Sequence, residues 1–353
     1  MVHRRLVFAL APLISLGSTF SHKIIDKNDN HKSSESPYVN DQKADNLVKR
    51  FKEYNGSPGV SVCVRKGNAT VYKSAFGYSD VENLVPARVN TSYRIASISK
   101  LFTSILFGRH MEKYAIRLDD PIQNFTSDVN VKSLNYNKIT ARHILAHSSG
   151  IRHYKTETGS DSLDLAELLS SREFKNTQEA LTLFLDDELL HEPGQKYTYS
   201  THSFTLLAYA LEQSMQVSLL ESDKRHLSPD SMKFINQMKS LFQAFGLTHT
   251  DLDLNPCLIG NRTRYYRRDG KFYLTNCDSV NCSYKYAGGG LVSTVEDLTR
   301  FGQQLVNIYT GKTKHPYISQ QTLATLWSPQ DTPVEYQGGF PRYSLGLGCF
   351  LAT

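Results

Sequence analysis

The sequence predicts an α+β fold, in which an antiparallel sheet carries helices and is joined to a region made of helices. Two strand-like runs, 58–66 and 69–78, are separated by turn residues and predict a β-hairpin. Apolar residues at helical spacing predict a helix over about 98–112. A longer amphipathic stretch, 213–248, predicts the helical region. We expect the first and last helices to pack on the sheet.

The chain is predicted to have three parts, because its composition changes twice near the beginning. Basic residues at 3–5 precede an apolar run over 6–16 and then small residues, which is the composition of a signal peptide, assigned here to 1–21. A polar linker follows over 22–43. The remainder, 44–353, is predicted to form the folded domain and is long enough to bury a large core.

The signal-like segment predicts export to the secretory lumen or secretion. Six asparagines lie in glycosylation sequons and favour the same destination: Asn55, Asn68, Asn90, Asn124, Asn261 and Asn281. Mitochondrial import is the alternative, because no acidic residue precedes Asp26. The apolar run over 6–16 is too short to span a membrane.

The elements of the domain follow in order from the local sequence. A helix is predicted near 47–54, ahead of the hairpin. Lys66, Gly67 and Asn68 supply the hairpin turn between two runs that are rich in β-branched residues. The next helix, over about 98–112, contains no proline.

The most informative chemical feature is a serine followed three residues later by a lysine. Positions i and i+3 share one face of a helix, so the hydroxyl of Ser97 and the amine of Lys100 can meet if Ser97 opens the helix. A hydroxyl needs an adjacent base to become a good nucleophile. Burial disfavours a charged lysine and therefore produces such a base.

The S-x-x-K arrangement resembles that of serine β-lactamases and penicillin-binding proteins. Three later segments resemble class C β-lactamase-like proteins in the same order: Ile139–Gly150, Pro193–Thr201 and Ala287–Thr294. Sequences at 149–154 and 283–290 are similar to the mitochondrial branch of this family in animals. Four ordered motifs are far more specific than one. The resemblance implies a β-lactamase/transpeptidase-like fold.

The resemblance also implies a set of catalytic residues: Ser97, Lys100 and Tyr199. Ser97 would become acylated, Lys100 would help to deprotonate it, and Tyr199 would act as partner base and then as acid for the leaving group. We expect the pKa values of the lysine and the tyrosine to be lowered, because both are ordinarily too high for a base near neutral pH. The expected reaction is hydrolysis of an amide or ester, with small molecules or peptides as substrates and no cofactor.

The chain departs from the family pattern at its third motif. That motif, Lys-Thr-Gly or His-Thr-Gly, is expected after the run 343–348, and only Lys312-Thr313-Lys314 comes near it. The resemblance assigns one of two oxyanion-hole donors to that strand, and losing one donor costs about two to three powers of ten in rate. Because the third motif is not found after 343–348, we expect the last strands and helix of the fold to be missing as well. The alternative to a hydrolase is a catalytically impaired or inactive binding or scaffold protein.

Other site types are less well supported. His147 suggests a Ser-His arrangement, but the resemblance places it in a structural turn and no G-x-S-x-G motif is present. His191 and Glu192 lack the second histidine of a zinc-binding H-E-x-x-H motif, so no metal site is predicted. The net charge of +6 is mild and no nucleic-acid-binding motif occurs. Self-association is left open.

The five cysteines are expected to include one disulfide. Cys257, Cys277 and Cys282 lie close enough in sequence to supply it, although the spacing leaves the pairing open. Cys63 lies in the predicted first strand and is expected to be a buried thiol.

Overall fold

A computed structural model describes residues 41–114, 116–126, 136–155, 167–218, 229–268, 273–330, 343–346 and 349–352. The predicted signal peptide, 1–21, and nearly all of the predicted linker, 22–43, lie outside the described residues. The boundary at 44 and the extent of the domain stay predictions.

The main sheet begins with the predicted hairpin. Strand β1 (Gly59–Lys66) pairs antiparallel with β2 (Ala69–Asp80), and β3 (Val85–Pro86) pairs with the far end of β2. The hairpin is therefore confirmed, with a second strand two residues longer than predicted. Helix α1 (Gln42–Asn55) lies on this hairpin, and the Tyr72 hydroxyl donates to Asp45 at 2.8 Å.

Seven further strands among the described residues form three small antiparallel sheets. The strands are β4 (Tyr93–Arg94), β5 (Asp251–Leu252), β6 (Tyr266–Arg268), β7 (Leu274–Asn276), β8 (Leu291–Ser293), β9 (Tyr343–Gly346) and β10 (Cys349–Ala352). Strand β8 lies between β4 and β5, while β6 pairs with β7 and β9 pairs with β10. In the first of these sheets, β4 ends three residues before Ser97 and pairs with β8.

Ten α-helices lie among the described residues. After α1 they are α2 (Ser99–Lys113), α3 (Ala141–Leu145), α4 (Thr177–Leu181), α5 (His202–Ser218), α6 (Pro229–Met232), α7 (Phe234–Ala244), α8 (Tyr286–Gly289), α9 (Val295–Tyr309) and α10 (Gln320–Leu326). The predicted helix over about 98–112 is α2, entered through a short 3₁₀ turn, Ala96–Ile98.

Helix α2 lies at the centre of the core. Ten of its fifteen residues are buried, so most of its side chains pack in the core and few face solvent. Phe102 stacks on Phe301 of α9, with ring centroids 4.4 Å apart, and meets Phe242 of α7 edge-on. These contacts fix α2 against helices from distant parts of the chain.

The described residues of the predicted helical stretch 213–248 are largely helical, as expected: they form the end of α5, α6 and α7, with Lys233 between the last two helices. Residues 219–228 lie outside the described part of the chain. Helix α9 follows β8 directly, with Ser293 ending the strand and Thr294 as the N-cap of the helix. The Thr294 hydroxyl accepts from the Asp297 backbone N–H, and Glu296 in the first turn pairs with Lys73 at 2.6 Å.

Candidate active site

Ser97 is exposed on the 3₁₀ turn that leads into α2. The preceding residue, Ala96, has a positive φ of 45°, a left-handed conformation that is costly for a residue with a side chain. Two contacts hold this turn. The Ser99 hydroxyl donates to the Ala96 carbonyl at 2.7 Å, and the Leu291 backbone N–H donates to that hydroxyl at 3.2 Å. Strand β8 therefore supports the turn that presents Ser97.

Lys100 lies beneath Ser97 on the same helix face, as the i, i+3 spacing predicted. Its ammonium group contacts Ser97 Oγ at 3.3 Å, Thr201 Oγ1 at 3.3 Å and the Gly288 carbonyl at 2.5 Å. Burial, together with the positive charge of Lys285, lowers the pKa of Lys100 to about 7. The expected lowering of the lysine pKa is confirmed.

Tyr199 meets Ser97 from the other side. Its hydroxyl lies 2.5 Å from Ser97 Oγ, although the two residues are 102 positions apart in sequence. Its ring lies 4.7 Å from the Lys100 nitrogen. Burial raises the pKa of Tyr199, contrary to the expectation that it would fall. Tyr199 is thus a protonated phenol at neutral pH and suits the role of a proton donor better than that of a base.

His147 supports this group without touching Ser97. Its ring packs on Tyr199, with centroids 4.5 Å apart, and its Nδ1 accepts from the Ser200 backbone N–H at 3.3 Å. The residue is buried in a turn with a positive φ of 54°. Burial and the nearby Lys100 hold the pKa of His147 well below its ordinary value, so the ring is neutral. The contacts match the structural turn expected from the sequence.

Two further groups lie near the site, and neither of them was assigned a role from the sequence. Lys285 is 6% exposed, and its ammonium donates to the Leu168 carbonyl at 2.8 Å. Burial lowers the pKa of Lys285 to about 8. His153 accepts from the Thr201 backbone at 3.3 Å, and burial with the nearby Lys100 lowers its pKa to about 4. His153 lies in segment 149–154 and Lys285 in segment 283–290. Because both segments resemble the mitochondrial branch of the family, that resemblance was the sequence feature from which these two residues could have been identified.

Gly288 is required by close packing in the site. A Cβ atom at this position would lie 2.5 Å from the Thr201 methyl group, inside any normal contact distance. The absence of a side chain lets α8 approach α5 closely enough for the Gly288 carbonyl to bind Lys100. Gly288 therefore positions a hydrogen-bond acceptor for Lys100.

No group of three or more His, Cys, Asp or Glu that could hold a metal ion occurs in the described part of the chain. The disulfide expected from the cysteine spacing is also not formed. Cys63, Cys257, Cys277 and Cys282 are all free thiols, and Cys282 instead lies 3.4 Å from a buried carboxylate oxygen of Asp253.

The fold and this arrangement of serine, lysine and tyrosine define a class of protein, the serine β-lactamase-like hydrolases. The chain belongs to the beta-lactamase family, whose family model matches residues 44–353. Thus the predicted membership and the β-lactamase/transpeptidase-like α+β fold are confirmed.

Among curated relatives, the chain is similar to the human "Serine beta-lactamase-like protein LACTB, mitochondrial", at 29% identity over 348 residues. The match covers 80% of this chain and 61% of the human protein. The mouse protein of the same name is 28% identical, with 80% of this chain and 62% of that protein covered. The chain thus spans about three-fifths of the length of these relatives.

Solved structures share the fold. The octameric penicillin-binding protein homologue from Pyrococcus abyssi has a TM-score of 0.66 at 21% identity, covering 87% of this chain and 64% of that one. The D-stereospecific amidohydrolase from Streptomyces also has a TM-score of 0.66, at 19% identity, with 87% and 82% covered. No helix among the described residues is both long and apolar enough to cross a membrane.

Proposed function

We propose that the protein is a serine hydrolase that cleaves an amide or ester bond through an acyl-enzyme on Ser97. One observation carries the proposal. The exposed Ser97 hydroxyl lies 2.5 Å from the phenol of the half-buried Tyr199 and 3.3 Å from the buried amine of Lys100. Among the described residues, no carboxylate forms an ion pair with Lys100. Burial therefore destabilises the charged ammonium form, and no negative charge offsets this effect.

Lys100 is the general base in this proposal. With a pKa of about 7 it is neutral in a large fraction of molecules at neutral pH. The neutral amine takes the Ser97 proton as the serine oxygen forms a bond to the substrate carbonyl carbon. Developing negative charge near Ser97 is favoured by the N-terminal end of α2.

Tyr199 is the proton donor to the leaving group. Its raised pKa keeps the phenol protonated, and its hydroxyl is already within hydrogen-bond distance of Ser97 Oγ. When the tetrahedral intermediate collapses, the bond to the leaving amine or alcohol breaks and that group takes the tyrosine proton. The proton held by Lys100 then restores the phenol. Water subsequently releases the acyl group from Ser97 by the same steps in reverse order.

Peptides are the first substrates to test. The resemblance at 149–154 and 283–290 favours peptides over antibiotics, because these segments are similar to the mitochondrial branch in animals. A small-molecule ester remains the second substrate class, since the same steps cleave either bond.

We propose the mitochondrion as the destination, in place of export. The curated relatives carry the word mitochondrial in their names. Two structural features favour the same choice. The four cysteines whose side chains are described are free thiols, which is typical of reducing compartments. Asn281, one of the six sequon asparagines, is only 6% exposed and could not carry a glycan in this fold. Import into isolated mitochondria, with no glycan on the protein, would support this destination, whereas glycan mass would contradict it.

A fluorophosphonate probe tests the activity, because it labels a serine only when that serine is activated. We expect labelling of the wild-type protein, none of Ser97→Ala, and wild-type labelling of Ser57→Ala, which removes a hydroxyl outside the site. Circular dichroism on each variant establishes that it is folded. An unlabelled but folded wild-type protein would overturn the proposal and favour the non-catalytic binding or scaffold alternative.

A further inference from the structure

A cavity lies away from Ser97, along the C-terminal half of α2. It encloses about 430 Å³ between α2, α5, α7 and the segment around Tyr317. This volume is within the range of small-molecule sites, about 300–1,000 Å³. Helix α2 rises about 1.5 Å per residue, so its lining residues extend from Leu106, about 9 Å from Lys100 along the axis, to Lys113, about 20 Å away. The serine, lysine and tyrosine of the candidate active site are not among the lining residues, so the cavity is separate from that site.

The inner wall of the cavity is apolar. Leu106 of α2, Met215 of α5 and Tyr317 are all buried and face this space. Surfaces of this kind remove the hydrocarbon part of a ligand from water, which supplies most of the binding energy in such sites.

The rim of the cavity carries positive charge and hydrogen-bond donors. Arg109 and Lys113 lie four residues apart on α2 and therefore on the same helix face. Tyr114 and Ser240 add hydroxyl groups. Neither an aspartate nor a glutamate is among the described residues that line the cavity. The rim thus presents two positive charges, while the carboxylate nearest to Arg109, that of Glu112, lies outside the lining.

Arg109 is held in place at this rim. Its Nη1 donates to the Pro316 and Tyr317 carbonyls at 2.8 and 3.1 Å. A guanidinium carries five N–H donors, so those on Nε and Nη2 are not used by these two bonds. A donor group that is fixed before binding loses little entropy when the ligand arrives.

His110 lines the cavity but offers no free ring nitrogen to a ligand. Its two ring nitrogens already hydrogen bond with Ser214 at 2.9 Å and Gln237 at 2.7 Å. Burial lowers the pKa of His110 to about 4, so the ring is neutral at physiological pH. The charge that faces a ligand therefore comes from Arg109 and Lys113 rather than from the histidine.

We propose that this cavity binds an amphipathic organic anion of the medium-chain carboxylate class, with its chain on the wall of Leu106, Met215 and Tyr317. Its carboxylate would lie between Arg109 and Lys113. The proposal stands on the cavity alone and does not depend on the proposed hydrolase activity.

Titration calorimetry on the full chain tests the ligand class, with decanoate as the probe and decyltrimethylammonium as the control of equal chain length and opposite charge. We expect one decanoate per chain and at least a tenfold weaker affinity for the cation, because the rim bears two positive charges. Equal affinity for the two probes, or no saturable binding of decanoate, would overturn the proposal.

Two pairs of variants test the location. Lys113→Gln is expected to weaken decanoate binding by about three- to tenfold, in keeping with a partly solvated charge contact. Lys239→Gln makes the same charge change on α7 outside the cavity lining and should leave the affinity unchanged. Ala244→Trp should fill the cavity and abolish binding, whereas Gln243→Trp, outside the lining, should not.

Melting curves for all four variants show which of them fold. If Ala244→Trp does not fold, the lysine pair still decides, because both lysines are exposed and neither change disturbs the core. Equal weakening by Lys113→Gln and Lys239→Gln, or no weakening by either, would place decanoate elsewhere and refute the site.

Discussion

The buried Lys100 predicts a particular dependence of activity on pH. Its ordinary pKa is 10.5, and burial with the charge of Lys285 lowers this pKa to about 7. At pH 7 about half of the molecules would then carry the neutral amine, against roughly one in three thousand for an unperturbed lysine. Burial would therefore raise the supply of the base form by about three powers of ten.

The sign of the pH dependence follows from the role of the neutral amine. Below pH 7 the amine is protonated and cannot accept the serine proton, so the rate should fall about tenfold per pH unit. Above pH 7 the rate should reach a plateau. His153 has a pKa of about 4 and Tyr199 has a raised pKa, so neither should produce this inflection. Lys285, with a pKa of about 8, loses its charge above the inflection, which removes part of the effect that lowers the pKa of Lys100 and broadens the rise but leaves the plateau in place. The second-order rate of fluorophosphonate labelling, measured from pH 5 to 9, reports this profile.

Lys285 provides the internal check. Removing its charge in Lys285→Met should raise the pKa of Lys100 and move the inflection to higher pH, because a like charge would no longer oppose protonation. Lys285→Arg keeps the positive charge and should leave the inflection nearer to that of the wild type. A profile that is flat from pH 5 to 9, or an inflection that moves to lower pH in Lys285→Met, would refute this account of the base.

Two further substitutions probe the structure around the site. Gly288→Ala places a Cβ atom 2.5 Å from the Thr201 methyl group. We expect fluorophosphonate labelling to fall by roughly ten- to a hundredfold, because Lys100 would be displaced. Gly260→Ala is the matched control, since no atom lies within 4 Å of a Cβ atom at that position. Phe102→Ala should lower the free energy of unfolding by about 3–5 kcal/mol in a urea titration, because the ring is fully buried against Phe301. Equal labelling of the two glycine variants, or a loss below about 1 kcal/mol for Phe102→Ala, would contradict these contacts.

The elements near the nucleophile could be predicted because short-range spacing decides them. The hairpin turn at Lys66–Asn68 and the apolar periodicity of α2 need only neighbouring residues, and both were confirmed. The i, i+3 spacing on a helix likewise placed Lys100 beside Ser97. Tyr199, by contrast, was predicted only from the resemblance, since no local rule links positions 102 residues apart.

Properties that depend on packing between distant segments were decided by the tertiary structure alone. The pKa of Tyr199 rises because the phenol is buried, whereas the sequence had suggested that it falls. Cys257, Cys277 and Cys282 are close in sequence but remain thiols, since a disulfide needs a specific distance and orientation that spacing does not supply. The carbonyl of Gly288 reaches Lys100 only because α8 packs closely on α5.

By itself, the sequence of this protein determined which residues could carry the chemistry, because residue type and local spacing are written in it. Whether those residues are exposed, buried or charged depends on what the folded chain places around them. Ser97 is exposed while Lys100, three residues later, is only 3% exposed. That difference, which turns an ordinary lysine into a base, arises from the burial of one side chain by α5 and α8.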